Sequence, residues 1–247
     1  MTTTPLPQAP LSPTAQSFVE SVLALRPLLA VFDCDGTLWE GDSGAGFFYW
    51  ELDRGLIDPA TTKSIRARYD DYKAGRVDED TMCGEMVTIH RGLTLQAIQR
   101  EAAAFFAAEF ESHIFPEMRE VVRRLTDDGC EIWAVSSTND WVVIEGVKRF
   151  GIPADRVLAA SVCMEKGIAT DRLLRVPSGQ GKATAIREVV KRTPDAAFGN
   201  SVFDSEMLAL ARHPFAIDPT AELAQTAKDR GWTVYYPQPA ASSATKL

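Results

Sequence analysis

The feature that most constrains this chain of 247 residues is an apolar segment that ends in two acids. Residues 28–38 read LLAVFDCDGTL, so Asp33 and Asp35 directly follow a run typical of a buried parallel strand. The carboxyl ends of such strands carry the ligand sites of α/β proteins. An ordinary strand followed by an acidic turn would have the same sequence. A calcium loop is excluded, because it would need glycine in place of Leu38 and glutamate in place of Gly44.

The rest of the pattern predicts an α/β fold with a doubly wound, mostly parallel, Rossmann-like sheet. A helix over 12–25 precedes the first strand. After residue 115 helices and strands alternate, and the predicted segments are helices over 117–127, 140–150, 182–191, 205–212 and 221–230 and strands over 131–135, 157–164, 168–173, 196–198, 215–217 and 233–235.

Residues 43–112 show helical periodicity without a strand pattern. Four helices are predicted there, over 45–54, 59–74, 78–91 and 95–110, with N-cap residues Asp58, Asp78 and Thr94. We therefore predict two domains. Residues 1–42 and 113–247 form the core, and residues 43–112 form an all-helical cap over the active end of the sheet, where it would exclude water and select the substrate.

Further polar residues stand where predicted strands end. Residues 136–138 (Ser-Ser-Thr) follow one strand, and residues 199–204 (Gly-Asn-Ser-Val-Phe-Asp) follow another. Lys182 opens a helix between them. Taken singly, the serine could be an ordinary strand-end hydroxyl and the lysine a solvated helix residue. Together with the acid pair they are expected to converge on one edge of the sheet.

This order of an Asp-x-Asp-Gly-Thr motif, a strand-end hydroxyl, a lysine and a late acidic loop resembles the four motifs of the haloacid dehalogenase superfamily, whose members are mostly phosphatases. The inserted helices resemble the cap of its phosphoserine phosphatase-like branch. The resemblance spans residues 33–204. It implies a haloacid dehalogenase-like core, a small phosphate monoester as substrate and Mg²⁺ as cofactor.

The resemblance also implies a role for each motif residue. Asp33 would be the nucleophile that forms an aspartyl phosphate, and Asp35 would be the general acid and base. Lys182 would be catalytic by offsetting negative charge. The implied substrate-binding residues are Thr37, Asp42, Ser136, Ser137, Thr138 and Lys182, and the implied metal ligands are Asp33, Asp35, Asn200 and Asp204.

Two positions depart from the family pattern. Asn200 stands where an aspartate usually ligates the metal, and an amide oxygen brings no charge, so weaker magnesium binding is expected unless Asp204 compensates. Asp42 matches the acid that meets the substrate ammonium in the resembling phosphoserine phosphatases. Met86, however, occupies the place of the arginine that meets the substrate carboxylate, which argues against phosphoserine. The aromatic residues at 39 and 47–50 could bind an ammonium group, although core packing is their more common use.

Composition narrows the range of partners. The net charge is −8 and the basic residues are scattered, which argues against nucleic acid. No apolar run approaches the length of a membrane span. The four cysteines form no Cys-x-x-Cys pair, so they are expected to be free thiols. The opening residues lack a secretion signal, and a cytoplasmic protein is predicted. Oligomeric state is not indicated. His90, His113 and His213 are interpreted as structural.

The predicted function is a magnesium-dependent phosphomonoesterase that hydrolyses a small phosphorylated metabolite through an aspartyl phosphate. Two alternatives remain open: a phosphoserine phosphatase proper, and a catalytically weak binding or regulatory protein of the same fold, which Asn200 would support. A dehalogenase of this fold is disfavoured by Asp35, because that branch needs no metal and lacks the second aspartate.

Overall fold

A seven-stranded sheet in the order β4-β3-β2-β1-β5-β6-β7 organises the computed structural model, which describes residues 10–238. All neighbouring strands are parallel except the antiparallel pair β3 and β4. The predicted doubly wound, mostly parallel sheet is confirmed, and the acid-bearing strand lies at its centre. The strands are β1 (Leu29–Phe32), β2 (Glu131–Asn139), β3 (Val157–Glu165), β4 (Ile168–Arg175), β5 (Ala196–Gly199), β6 (His213–Ile217) and β7 (Thr233–Tyr235).

Ten α-helices connect or flank these strands in the described part of the chain. They are α1 (Pro13–Leu23), α2 (Ser43–Asp53), α3 (Pro59–Lys73), α4 (Glu79–Thr88), α5 (Leu95–Phe105), α6 (Pro116–Asp127), α7 (Asp140–Val147), α8 (Gln180–Ala185), α9 (Ser205–Leu210) and α10 (Ala221–Arg230). Three helices predicted as continuous change their winding. A π-helical turn follows α5 at Phe106–Phe110 and another follows α8 at Ile186–Val190, and a 3₁₀ turn follows α7 at Lys148–Phe150.

The segment between β1 and β2 is helical, as predicted. The carboxylates of Asp58 and Asp78 and the hydroxyl of Thr94 accept hydrogen bonds from amides of the first turns of α3, α4 and α5, which confirms all three N-caps. The two ends of this segment lie side by side, because Trp39 and Ile114 form an antiparallel bridge. Its assignment as a separate cap domain stays a prediction. Residues 1–9 and 239–247 of the predicted core domain lie outside the described residues.

One strand is longer than predicted. β2 was expected to end at Val135, but it runs to Asn139, so Ser136, Ser137 and Thr138 belong to the strand itself. The pairing with β3 is irregular after Val135 and resumes where Asn139 lies opposite Ala160. The three polar residues therefore occupy the irregular stretch, where the backbone departs from the regular ladder.

Helices cover both faces of the sheet, so β1 is completely buried. Phe32 stacks on Phe198 on one face, with ring centroids 4.2 Å apart, while Val31 belongs to the cluster on the opposite face. Burial on both faces leaves the strand ends as the open edge of the sheet. No helix within residues 10–238 is both long enough and apolar enough to cross a membrane. The four cysteines are free, as predicted.

Candidate active site

Asp33 is held at the carboxyl end of β1 by contacts on both sides of its carboxylate. Its Oδ2 accepts a hydrogen bond of 3.0 Å from the Thr37 hydroxyl, and its Oδ1 lies 2.6 Å from Lys182 Nζ. Its amide donates to the Phe198 carbonyl of β5 at 2.8 Å. The chain turns sharply just after the acids at Gly36, whose φ of +69° falls in the left-handed region that glycine adopts without strain.

Asp35 is fixed by three donors from different parts of the chain. Its Oδ1 accepts from Trp39 Nε1 at 2.6 Å and from the Ser43 amide at 2.8 Å, and its Oδ2 accepts from Thr138 Oγ1 at 2.7 Å. Ser43 is the first residue of α2 and Thr138 lies in β2. The orientation of the second acid therefore depends on both the helical segment and the neighbouring strand. Gly44 permits this approach, because an added Cβ would lie 2.5 Å from the Thr138 hydroxyl oxygen.

Lys182 is 2 % exposed and bridges two buried acids. Its Nζ lies 2.6 Å from Oδ1 of both Asp33 and Asp204. Burial by itself would lower the pKa of Lys182, but the charges of Asp204 and Asp33 outweigh this effect and raise it, so the amine is charged. Burial and the nearby Asp204 raise the pKa of Asp33 to about 7, with Lys182 opposing the shift.

The late loop folds over the end of β5. Oδ2 of Asp204 accepts hydrogen bonds from the amides of Asn200 at 2.8 Å and Ser201 at 2.9 Å. Gly199 makes room for this side chain, because an added Cβ would lie 2.5 Å from the Asp204 Cβ. The Asn200 side chain packs against the first motif, where a Cβ on Gly36 would lie 1.9 Å from its Nδ2. Both oxygens of Asp204 thus have partners within the protein.

A cavity of about 240 Å³ opens at this edge of the sheet. Most of the predicted site residues line it, namely Asp33, Asp35, Asp42, Ser136, Ser137, Thr138, Lys182 and Asn200. Thr37 and Asp204 are fully buried behind the lining and touch Asp33 and Lys182. The structure therefore brings all ten predicted residues to one place. The volume of the cavity corresponds to roughly eight water molecules at about 30 Å³ each, which suits a small metabolite.

The helical segment supplies the other wall. Asp42 caps α2 by accepting from the Ala45 amide at 2.8 Å, and it opens onto the cavity. The enclosing walls of the cleft desolvate this carboxylate and, with the charge of Asp35, raise its pKa to about 6. Burial and the charge of Asp42 raise the pKa of Tyr69 to about 12. Met86, which occupies the position of the carboxylate-binding arginine of the resembling phosphoserine phosphatases, also lines the wall.

The sequence does not indicate several of the residues that line the cavity. The aromatic residues that it offers as possible ammonium binders are those at 39 and 47–50. Those aromatics do not line the cavity; Trp39 is buried in the core. Among the lining residues outside the predicted site are Tyr69, Tyr72, Glu79, Met82, Cys83, Ser201 and Phe203. Their only signal was a position on amphipathic helices or in the late loop, which does not distinguish a cavity wall from a packed face.

His90 lies fully buried outside the cavity lining. Its Nε2 is 2.6 Å from Oε2 of Glu51 and its Nδ1 is 3.1 Å from the Val87 carbonyl. Burial raises the pKa of Glu51. Burial alone would lower the pKa of His90, but the charge of Glu51 together with the hydrogen bonds to Glu51 and Val87 raises it. The pair links α2 to the end of α4, and its partner acid lies too far away in sequence to be found from spacing.

Acids, hydroxyls and a buried lysine thus surround one cavity at the carboxyl ends of the strands of an α/β sheet. The model of the haloacid dehalogenase-like hydrolase family matches residues 30–209, so the chain belongs to that family. The expected resemblance is thereby confirmed.

Two curated relatives carry phosphatase names. A histidinol-phosphatase from Neisseria meningitidis serogroup C (strain 8013) is 29% identical over 221 residues, covering 83% of this chain and 97% of that protein. The phosphoserine phosphatase SerB1 of Mycobacterium tuberculosis (strain ATCC 25618 / H37Rv) is 31% identical over 128 residues, covering 49% of this chain and 41% of that protein. These relatives support a phosphatase activity for the chain.

Solved structures share the fold. A protein of unknown function from Bordetella pertussis Tohama I has a TM-score of 0.72 at 21% identity, covering 84% of this chain and 97% of that one. A substrate-bound phosphoserine phosphatase complex has a TM-score of 0.57 at 14% identity, covering 87% of this chain and 95% of that one. At these identities the likeness concerns the fold alone.

Proposed function

We propose that the protein is a magnesium-dependent phosphomonoesterase that acts on a small phosphorylated metabolite through an aspartyl phosphate on Asp33. The observation that carries the proposal is the position of the Asp33 carboxylate. It is held between Lys182 and Thr37 at the floor of a cavity that Ser136 and Asp35 also line. Fixing a nucleophile in this way removes much of the entropic cost of reaction.

The proposed chemistry has two steps. In the first, an Asp33 oxygen forms a bond to phosphorus while the bond to the leaving alcohol breaks, and Asp35 gives its proton to the leaving oxygen. In the second, Asp35 takes a proton from water, whose oxygen attacks phosphorus and releases inorganic phosphate and the Asp33 carboxylate. The three donors around Asp35 would keep its carboxyl group in position for both transfers.

The phosphoryl oxygens would be held by the Lys182 ammonium, the Ser136 hydroxyl and the amides that follow it in β2. Ser136 Oγ accepts a hydrogen bond of 3.2 Å from the Thr138 amide, which fixes the hydroxyl oxygen beside the cavity and leaves its own O–H to donate to a phosphoryl oxygen. Donors placed in advance stabilise the charge that develops on the transferred group. Asp204 would act as a positioning residue, because it orients Lys182.

The residues at the cavity floor fit a magnesium ion, although no cluster of three His, Cys, Asp or Glu side chains suited to a metal is found within the described residues. The ligand set that we propose is instead a mixed set of oxygens from three residues that line the cavity: the Asp33 carboxylate, the main-chain carbonyl of Asp35 and the Asn200 amide oxygen. Such hard oxygen donors suit Mg²⁺. When bound, the ion would neutralise charge on the phosphoryl group. The sequence predicts both Asn200 and Asp204 as ligands. Asn200 lines the cavity, whereas Asp204 lies behind the lining and is bound by Lys182 and the loop amides, so we propose Asn200 as the ligand from this loop.

We further propose L-histidinol phosphate, rather than phosphoserine, as the first substrate to test. The histidinol-phosphatase relative matches nearly its whole length, whereas the phosphoserine phosphatase relative matches less than half. Met86 and the acids of the helical wall offer no partner to the carboxylate of phosphoserine. A substrate bearing an amine is the better match for that wall.

The test is release of inorganic phosphate from p-nitrophenyl phosphate and from a panel comprising L-histidinol phosphate, phosphoethanolamine, phosphocholine, phosphoserine and sugar phosphates. Hydrolysis is expected with Mg²⁺ and not with EDTA, and it should vanish in Asp33→Asn. The exposed Asp53→Asn serves as the matched control, with wild-type turnover expected. Failure to release phosphate from any of these compounds would favour the alternative of a binding or regulatory protein.

A further inference from the structure

The helical wall of the cavity combines flat, polarizable side chains with negative charge. Tyr69 and Tyr72 of α3 and Met82 and Met86 of α4 provide aromatic and thioether surface. Aromatic faces attract organic cations and thioethers pack well against rings. The charged side chains of this wall are both acidic, Asp42 and Glu79.

Glu79 is turned into the cavity by its neighbours. The Tyr72 hydroxyl donates a short hydrogen bond to Glu79 Oε2. The other carboxylate oxygen, Glu79 Oε1, lies 3.5 Å from the Ser137 hydroxyl oxygen and 3.7 Å from the Cys83 sulfur. Ser137 follows Ser136 in β2, so the carboxylate stands where the helical wall meets the strand proposed to hold phosphate. Burial, together with hydrogen bonding to Glu79, raises the pKa of Tyr72, which keeps its hydroxyl protonated as a donor.

Stabilisation of the α4 N-terminus does not account for this placement. An acid in the first turn favours a helix through the helix dipole, but Asp78 already caps α4 by accepting from the Thr81 amide, and Asp80 adds an exposed charge in the same turn. A carboxylate needed only for the dipole would remain in solvent. Glu79 instead lines the cavity and contacts a residue of the sheet.

We propose that Glu79 is a specificity-determining residue whose carboxylate binds a protonated or N–H-donating nitrogen on the leaving alcohol, while Tyr69, Met82 and Met86 pack against the ring that carries it. Asp42, the N-cap of the helix whose Ser43 amide donates to Asp35, takes a second nitrogen such as a primary ammonium. The proposal deepens the proposed phosphatase function and rests on it. It names the substrate class as phosphate esters of amino alcohols that bear a nitrogen heterocycle.

The test compares kcat/KM for L-histidinol phosphate, which carries both nitrogens, with kcat/KM for p-nitrophenyl phosphate, whose ring is uncharged. Glu79→Gln removes the charge at constant size and keeps an acceptor for Tyr72. It is expected to lower the ratio of the two specificity constants about 10- to 100-fold, the range of a charge-assisted hydrogen bond. The inhibition constant of the product L-histidinol should rise by a similar factor. Glu79→Asp, which keeps the charge, should retain more of the ratio.

Asp80→Asn is the matched control, because it removes an equal charge from the same helical turn but does not line the cavity. Its two specificity constants should stay within about twofold of wild type. A ratio in Glu79→Gln within threefold of wild type, or an equal loss in Asp80→Asn, would overturn the proposal. Wild-type protein that hydrolyses p-nitrophenyl phosphate but not L-histidinol phosphate would also overturn it and leave the phosphatase function standing. Only a failure to hydrolyse these two compounds and every other member of the panel would refute the phosphatase function itself.

Discussion

The effect of Asp204→Asn on the free energy of unfolding should change sign when the buried Lys182 is removed. Lys182 Nζ lies 2.6 Å from an oxygen of Asp33 and from one of Asp204, so those two oxygens are no more than about 5 Å apart. At an effective dielectric constant of about 20, two unit charges at that distance repel by about 3 kcal/mol. Lys182→Met leaves this repulsion uncompensated, and the free energy of unfolding should fall by about 3–5 kcal/mol.

The effect of Asp204→Asn then depends on residue 182. With lysine present, the substitution removes an ion-pair partner and an acceptor for loop amides, and it should cost about 1–3 kcal/mol. With methionine present, the same substitution relieves the repulsion from Asp33, which is as large as the lost hydrogen bonding or larger. The double variant should therefore be about 1–2 kcal/mol more stable than Lys182→Met alone.

The measurement is urea unfolding of wild type, both single variants and the double variant, followed by tryptophan fluorescence in EDTA at pH 8. The coupling energy from this cycle should be at least about 2 kcal/mol, whereas residues without a shared partner add to within about 0.5 kcal/mol. Asp53→Asn, an exposed acid paired with Arg66, provides that comparison. Equal costs of Asp204→Asn in both backgrounds would show that the lysine and the two acids do not act as one electrostatic unit.

Three further predictions concern the metal, a buried pair and the general acid. Asn200→Asp should tighten magnesium binding in calorimetry, because it adds a charge to the ligand set. The free energy of unfolding should fall as the pH rises above 6.5, because the charge and hydrogen bond of Glu51 raise the pKa of His90 above that value and the stabilising proton is lost as the pH passes through the raised pKa. A His90→Phe, Glu51→Leu double variant should show a shallower slope, and the slope that remains belongs to groups such as Asp33, whose pKa is raised to about 7. Thr138→Val removes the hydroxyl 2.7 Å from Asp35 and should lower kcat for p-nitrophenyl phosphate about tenfold.

Each of these three predictions has an outcome that would contradict it. Unchanged magnesium affinity in Asn200→Asp would remove the late loop from the metal site. An equally steep loss of stability in the His90→Phe, Glu51→Leu variant would assign the pH dependence to other groups. A wild-type kcat in Thr138→Val, with full folding confirmed by circular dichroism, would show that the hydroxyl does not position the acid.

The sequence predicted the floor of the site well because each of its residues carries a local signal. Asp33 follows an apolar strand, Lys182 opens a helix after glycines, and Asp204 closes a loop that begins at a strand end. Parallel topology then brings strand ends together without further information. The N-caps of the inserted helices were found for the same reason, since a cap depends on residues only two or three positions apart.

The wall of the site depends on tertiary packing, and local patterns do not contain it. Glu79 has the sequence signature of an ordinary first-turn acid, and only the packing of α4 against β2 brings it to Ser137. The partner of His90 is Glu51, on another helix. The irregular pairing of β2 after Val135 similarly depends on its neighbour β3, so the strand end was placed too early.

The charge balance of the cavity connects the proposed metal and the proposed substrate. Four acids line it, Asp33, Asp35, Asp42 and Glu79, and Lys182 is the only basic side chain among the lining residues described. That lysine is already paired with two carboxylates. A phosphate ester brings close to two more negative charges at neutral pH. Its binding therefore requires additional positive charge at the phosphate end of the cavity and at the end that holds the leaving alcohol. Mg²⁺ would supply it beside Asp33 and a nitrogen cation beside Glu79, whereas a substrate carboxylate would add to the excess.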